Sequence, residues 1–235
     1  MITFEQVEVG YERTLLRVDG IVMNSGQVYA LIGANGSGKS TFMKTVCGTV
    51  PLIKGKITLN TQVISSMSSV AKSKSIAFVD AHFRGVDFLS VYEYVALGRT
   101  PHTDFMGNLT DMDHEKTKSA IQRVGMSSKI NESTIKLSDG ERQLIAIARA
   151  IAQEPRFILL DEPTAFLDYG NRKRLLKTLS QIAKEERIIV LMSSHDIELC
   201  LEAALELLVI DYKSMELRQL EKETKINQII SLAFP

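Results

Sequence analysis

With 235 residues the chain has room for one or two domains and a sizeable buried core. Its 45% hydrophobic and 24% charged residues, with 14 glycines and 5 prolines, exclude a disordered, collagen-like or low-complexity chain. Twenty-eight Lys and Arg balance 28 Asp and Glu, so the formal net charge is zero and no global basic field invites nucleic acid.

The opening Met1-Ile-Thr-Phe-Glu-Gln-Val-Glu has neither a basic n-region nor an apolar h-region, and reads as something other than a secretory signal. Ile2 to Val9 is β-rich, and Gly10-Tyr11 turns the chain. Val28 to Ile32 is short, apolar and bounded by glycines, which predicts a central buried strand. Lys39 to Cys47 reads as a helix, stopped by Gly48 at C′ and by Pro51 beyond it. Lys56 to Leu59 alternates like an edge strand, residues 65–75 make a polar connection with a short helix, and Ile76 to Val79 is a further apolar strand.

From Ala81 to Lys136 strand signals thin out, and helical stretches near Tyr92–Leu97 and Asp113–Val124 predict a helical insertion. Ser138 to Gln153 starts on the S-x-x-E spacing of a capping box, Ser138 to Glu141. Apolar strands at Phe157–Leu160 and Ile188–Met192 enclose a helix at Gly170–Glu185, and Leu207–Ile210 closes the strand set. Residues Tyr212 to Pro235 are expected to form a short terminal helix. Strands alternating with helices predict an α/β core with a mostly parallel sheet. No run approaches the roughly 18 apolar residues needed to span a bilayer. Cys47 and Cys200 have no metal-ligand or redox spacing and read as two small buried hydrophobes in a reducing, cytoplasmic setting.

Gly33-Ala34-Asn35-Gly36-Ser37-Gly38-Lys39-Ser40 matches G-x-x-x-x-G-K-[ST] between a strand and a helix. Glycines let the backbone curl so that its N–H groups point at phosphate oxygens, and the following helix presents its positive end to the same anion. Lys39 can reach the β/γ-phosphates and the Ser40 hydroxyl can ligate Mg²⁺. A solvated glycine turn is the plain alternative, disfavoured by the strand–helix context. Phe157-Ile-Leu-Leu-Asp161-Glu162 ends a strand in two carboxylates, at the edge where ligands collect in parallel sheets. Asp161 would hold Mg²⁺, through water or directly, and Glu162 would orient or deprotonate the attacking water. His195, after the next strand, is a candidate for sensing the γ-phosphate, although a local turn role fits the spacing equally.

The order of these segments resembles that of ABC ATPase subunits over nearly the whole chain: Walker A at Gly33 to Thr41, a signature at Leu137-Ser-Asp-Gly-Glu141, Walker B at Phe157 to Glu162, a D-loop at Ala165 to Asp168, and a switch histidine at His195. The resemblance implies a P-loop NTPase fold in a single domain. Its core comprises 1–80 and 155–215 with an N-terminal antiparallel β subdomain, its helical subdomain is 81–154, and 216–235 is a tail. It implies ATP and Mg²⁺ as ligands, with Tyr11 stacking on adenine (core packing is its alternative). It further implies a homodimer in which Ser138, Gly140, Glu141 and Asp168 meet the partner's nucleotide.

Two departures stand out. The signature carries Asp139 and Glu141 where the common form is Leu-Ser-Gly-Gly-Gln, so negative charge, partly offset by Arg142, is expected to weaken affinity in trans. The Q-loop strand ends in Asp80-Ala81 instead of Pro-Gln, and Asp80 or a water is the expected substitute.

Val91-Tyr-Glu-Tyr-Val-Ala-Leu-Gly-Arg-Thr-Pro-His102 looks like the helical-domain entry of importers for ferric siderophores, haem and cobalamin. That implies a peripheral subunit on the cytoplasmic face of the membrane, bound to two permease subunits and served indirectly by an extracytoplasmic binding protein, with no nucleic acid partner. An amphipathic helix inside the helical subdomain is the plainer reading of the same stretch. The alternatives are a soluble non-transport ATPase of the iron–sulfur assembly kind and, because of Ala81, a nucleotide-binding module without turnover.

Overall fold

A computed structural model describes residues 1–81, 83–221 and 223–235. Its strands are β1 (Ile2–Gly10), β2 (Thr14–Val18), β3 (Val22–Met23), β4 (Gln27–Ile32), β5 (Lys54–Leu59), β6 (Gln62–Val63), β7 (Ile76–Val79), β8 (Phe157–Leu160), β9 (Ile189–Ser193), β10 (Glu206–Asp211) and β11 (Glu216–Gln219). The helices are α1 (Lys39–Val46), α2 (Ser69–Ser75), α3 (Val91–Ala96), α4 (Asp111–Arg123), α5 (Asp139–Ala152), α6 (Tyr169–Glu186), α7 (Ile197–Glu202) and α8 (Ile226–Ala233).

All the described strands share one sheet, in the order β6-β5-β1-β2-β11-β10-β4-β9-β8-β7 with β3 beside β1. From β10 to β7 every pairing is parallel, whereas β1 pairs antiparallel with β2, β3 and β5. The parallel half takes apolar residues on both faces, because helices cover both. Alternate residues of β4 go to opposite cores. Val28, Ala30 and Ile32 join the cluster under the helical segments, and Tyr29 and Leu31 join the one around α1. In β8, Ile158 and Leu160 divide from Phe157 and Leu159 in the same way.

The strand set does not close at Leu207–Ile210. β11 follows, running antiparallel to β10 and meeting β2 in parallel at Glu216 and Arg17, so it splices the antiparallel and parallel halves into one sheet. The expected terminal helix is α8, and it is no loose tail. Ile229 and Ala233 are fully buried, and the Ala233 carbonyl accepts the Ala34 N–H at 3.1 Å. Of the two cysteines, Cys200 is buried, which pushes its thiol up to about 11, but Cys47 is only half-buried. No helix among the described residues is long and apolar enough to cross a membrane.

α5 begins on the anticipated capping box. Ser138 Oγ accepts the Glu141 N–H at 3.3 Å and Glu141 Oε2 accepts the Ser138 N–H at 3.0 Å. α3 and α4 start on the same device, at Ser90–Glu93 and Thr110–Asp113. The stretch Val91–His102 is largely structural. Val91, Tyr94, Val95 and Ala96 are buried, and Arg99 turns inward to bond Asp113, the Ala152 carbonyl and Glu154. Leu97, Phe105 and Met106 remain on the surface.

Candidate nucleotide site

The C-terminal ends of β4, β8 and β9 gather three segments at one edge of the sheet, because these strands are parallel neighbours. The loop after β4 curls through left-handed turns at Gly36 (φ 77°) and Gly38 (φ 98°), a region open to glycine at no steric cost. α1 starts at Lys39 with no side-chain cap, so the first-turn amides of Lys39, Ser40 and Thr41 lack intrahelical partners and face the loop. The Ser37 hydroxyl is buried there with no partner among the described residues. Ser40 is exposed at the mouth, and Asn35 and Gly36 are exposed at the rim.

Lys39 is only 6% exposed, and its ammonium donates to the Gly33 and Ala34 carbonyls at 2.8 and 3.0 Å. Burial holds its pKa below the usual lysine value, and the carboxylates of Glu162 and Asp161 work in the opposite direction. The ammonium thus lies within electrostatic reach of both acids. An uncapped helix start, a buried cation, a buried orphan hydroxyl and an exposed Ser40 hydroxyl together fit a magnesium nucleotide's phosphates.

Asp161 is 7% exposed and accepts a hydrogen bond from Ser193 Oγ at 2.7 Å. Glu162 sits at φ 46°, an uncommon backbone for a glutamate, and its Oε1 lies 2.8 Å from His195 Nε2. A proton on Nε2 makes His195 the donor in that bond. Beside the pair lies a cavity of about 150 Å³ lined by Glu162, Thr164, Ala165, Arg172, Ser194, His195 and Asp196. The contacts of His195 therefore reach beyond its own turn.

Tyr11 is 66% exposed, which rules out the core-packing alternative. The β1–β2 hairpin that carries it lies against the loop, since a Cβ on Gly38 would come within 3.8 Å of Leu15 and Leu16 Cβ. Asp80 does not turn to the phosphate loop. Its largely exposed carboxylate stands 3.9 Å from Lys44 Nζ, one helical turn beyond Ser40. After Ala81 the chain docks on the helical insertion, where Phe83 stacks on Tyr94 at 4.2 Å between ring centroids.

Ser138, Gly140, Glu141 and Asp168 form a second group. None of their side-chain hydrogen bonds among the described residues reaches the 33–41 loop. Gly140 lies against the D-loop: a Cβ there would come within 2.9 Å of the Phe166 carbonyl. Asp168 caps α6 by accepting the Asn171 N–H at 2.9 Å. The two signature acids are more fully compensated than expected. Arg142 Nη2 holds Asp139 at 2.6 Å, and Lys129 Nζ, a partner the sequence reading missed, holds Glu141 at 2.8 Å. Lys129 lies twelve residues upstream and carries no motif. Ser193 was missed as well, since nothing in the pair Ser193-Ser194 distinguishes its hydroxyl from an ordinary strand-end serine.

Comparison with known proteins agrees with this geometry. The family model for the ABC transporter matches residues 19–165, more than half of the chain. An uncharacterised ABC transporter ATP-binding protein of Methanocaldococcus jannaschii is 36% identical over 206 residues, covering 87% of this chain and 71% of its own. The iron(3+)-hydroxamate import ATP-binding protein of Bacillus subtilis is 34% identical over 197 residues, covering 83% and 73%. Among solved structures, a chain of a metal-chelate type ABC transporter in an inward-facing conformation superposes with a TM-score of 0.81 at 27% identity, over 98% of this chain and 87% of that one. The chain belongs to the ABC transporter family, as one of its ATP-binding subunits, and is an ATPase.

Proposed function

We propose that this ATPase is the motor of an importer for an iron–siderophore, haem or cobalamin. Two copies work on the cytoplasmic face of the membrane against two permease subunits, and an extracytoplasmic binding protein delivers the cargo. The observation that carries the ATPase reading is the Glu162–His195 contact at 2.8 Å, beside a loop whose buried lysine lies within electrostatic reach of both Walker B acids.

Each residue then has a task. The loop from Gly33 to Thr41 wraps the phosphates, above all through the uncapped first-turn amides of Lys39, Ser40 and Thr41, with Lys39 exchanging its two loop carbonyls for phosphate oxygens. Tyr11 stacks on the adenine ring. Ser40 and Asp161, the latter directly or through water, would hold magnesium, which when bound would neutralise phosphate charge. Glu162 takes the proton of a water in the adjoining space, and His195 keeps its carboxylate turned that way. A water stands in for the glutamine that Ala81 replaces, since the Asp80 carboxylate is turned to Lys44.

The second group of residues lies apart from the loop and completes a site only across a pair of chains. The Ser138 hydroxyl, the Gly140 amide, Glu141 and Asp168 meet the partner's nucleotide. ATP thereby binds the closed pair better than the open one, and hydrolysis removes that preference.

Support for import comes from the relatives' names, which describe transport subunits rather than iron–sulfur assembly proteins, and from the surface positions of Leu97, Phe105 and Met106 next to the Val91–His102 stretch. The test is transport of radiolabelled ferric siderophore, haem and cobalamin in the native host. Glu162→Gln is expected to abolish uptake of one of them, and the tagged chain to co-purify with a permease from membranes. Normal uptake of all three with Glu162→Gln would contradict the importer reading.

A further inference from the structure

Between the two Walker B acids and the neighbouring strand lies a hydroxyl that the account above does not use. Ser193 ends β9 and is fully buried. Its register follows from the sheet: Leu160 pairs with Met192, so the next residue on each strand, Asp161 and Ser193, emerges side by side. Ser193 Oγ donates to Asp161 Oδ1 at 2.7 Å and accepts the Glu162 N–H at 2.8 Å. One oxygen atom therefore satisfies a carboxylate and the amide of the next residue.

Both contacts bear on the geometry of the site. Asp161 Oδ1 is committed to Ser193, which fixes the plane of the carboxylate and leaves Oδ2 for other partners. Glu162 has a left-handed backbone at φ 46°, a conformation unfavourable for a non-glycine residue. The bond to Ser193 holds its amide there, and that backbone aims the side chain at His195. An alanine or valine at this position would leave the Glu162 N–H without its partner and free the Asp161 carboxylate to rotate.

We propose that Ser193 is a positioning residue of the ATPase centre: its buried hydroxyl presets Asp161 for the divalent cation and Glu162 for the attacking water. The inference rests on the roles given to those two acids above. Ser193 acts through those two acids, to which its hydroxyl is bonded. Groups of this kind affect metal affinity or activity by about 10–100-fold.

The test uses the full chain with Ser193→Ala and Ser193→Thr, the second of which keeps the hydroxyl. Four quantities are read: ADP affinity without metal, Mn²⁺ affinity of the ADP complex by electron paramagnetic resonance, and kcat and KM for ATP. Ser193→Ala is expected to lose about 10–100-fold in Mn²⁺ affinity and kcat, with metal-free ADP affinity and KM within about twofold of the parent, and Ser193→Thr to recover most of the loss. Wild-type Mn²⁺ affinity and kcat in Ser193→Ala would overturn the proposal. So would a loss shared equally by metal-free ADP binding, because that marks general damage to the loop. Should Ser193→Ala fail to fold, a Ser193→Thr variant that folds but lacks Mn²⁺ affinity overturns it also. If the parent protein itself shows no turnover, the failure lies with the ATPase roles of Asp161 and Glu162, not with Ser193.

Discussion

The buried cation of the helical insertion offers a quantitative test of how the second half of the site is held. Arg99 is 3% exposed; its Nε donates to Asp113 Oδ1 at 2.8 Å, and its Nη1 to the Ala152 carbonyl at 2.6 Å and Glu154 Oε2 at 2.8 Å. It thus ties the start of α4 to the end of α5, the helix whose other end carries Ser138. Arg99→Met keeps the apolar stem and removes the charge, leaving the Asp113 carboxylate buried. Losing one partner of a buried pair costs about 3–5 kcal/mol. Asp113 retains bonds from the Thr110 N–H and hydroxyl at 2.9 and 2.7 Å, which places the cost near the lower end. At about 2–4 °C per kcal/mol for a chain of this size, a loss of about 3 kcal/mol lowers Tm by about 6–12 °C.

The pH dependence follows in sign. The bonds from Thr110, and after them Arg99, hold the Asp113 carboxyl down at about 2, below its unfolded value. Its contribution is complete above about pH 4 and is lost as pH falls toward about 2. The gap in Tm between parent and Arg99→Met should therefore be widest near neutrality and narrow through that acid window. Circular dichroism melts at neutral and acid pH read this directly, and Arg99→Met/Asp113→Leu should recover much of the loss because no charge is left buried. A Tm within about 2 °C of the parent at neutral pH, a shift of at most about 1 kcal/mol in a chain of this size, would refute the reasoning, as would a gap that widens in acid. ADP affinity at the Lys39 loop should be unchanged in the variant.

Other outcomes follow from the same geometry. Lys129→Ala exposes the Glu141 carboxylate at the signature surface, so ATP-dependent pairing should weaken by about 3–10-fold, the scale of an ordinary surface charge effect, and Lys129→Ala/Glu141→Gln should restore it; sedimentation of both variants decides this. Tyr11→Ala removes one stacking surface worth about 0.5–1.5 kcal/mol, which predicts a rise of about 2–10-fold in KM for ATP with kcat retained. Ile229→Ala empties a fully buried position in α8 at a cost of about 2–5 kcal/mol. Because the Ala233 carbonyl accepts the Ala34 N–H, nucleotide affinity should fall together with Tm in that variant.

Much of this site was legible in the chain because its parts are local. Gly33 to Ser40 needs a strand before it and a helix after it, and eight consecutive residues carry both the curl and the cation. The Ser138 capping box and the Asp161-Glu162 pair are likewise short segments with their own physical signature. What escaped depends on partners distant in sequence. Lys129 meets Glu141 through the fold of the insertion, and Ser193 meets Asp161 through strand register.

Short elements escaped for a related reason. β11 buries only Leu217 of its four residues, so no alternation announces it, and α7 spans too few residues to display a helical period. Arg99 was read within a motif that suggests a partner surface, yet in the fold it is a buried tie. Composition and periodicity describe a residue's own element, and a buried cation declares itself only once its three acceptors are assembled around it.

The proposed mechanism requires two chains to close over ATP, each lending Ser138, Gly140, Glu141 and Asp168 to the other's phosphate loop. Sedimentation equilibrium of Glu162→Gln in saturating Mg-ATP tests this most directly, because the nucleotide then stays unhydrolysed. A dimer in Mg-ATP that reverts to monomer in Mg-ADP is the predicted result. A species that remains monomeric in saturating Mg-ATP, while still binding the nucleotide, would contradict it.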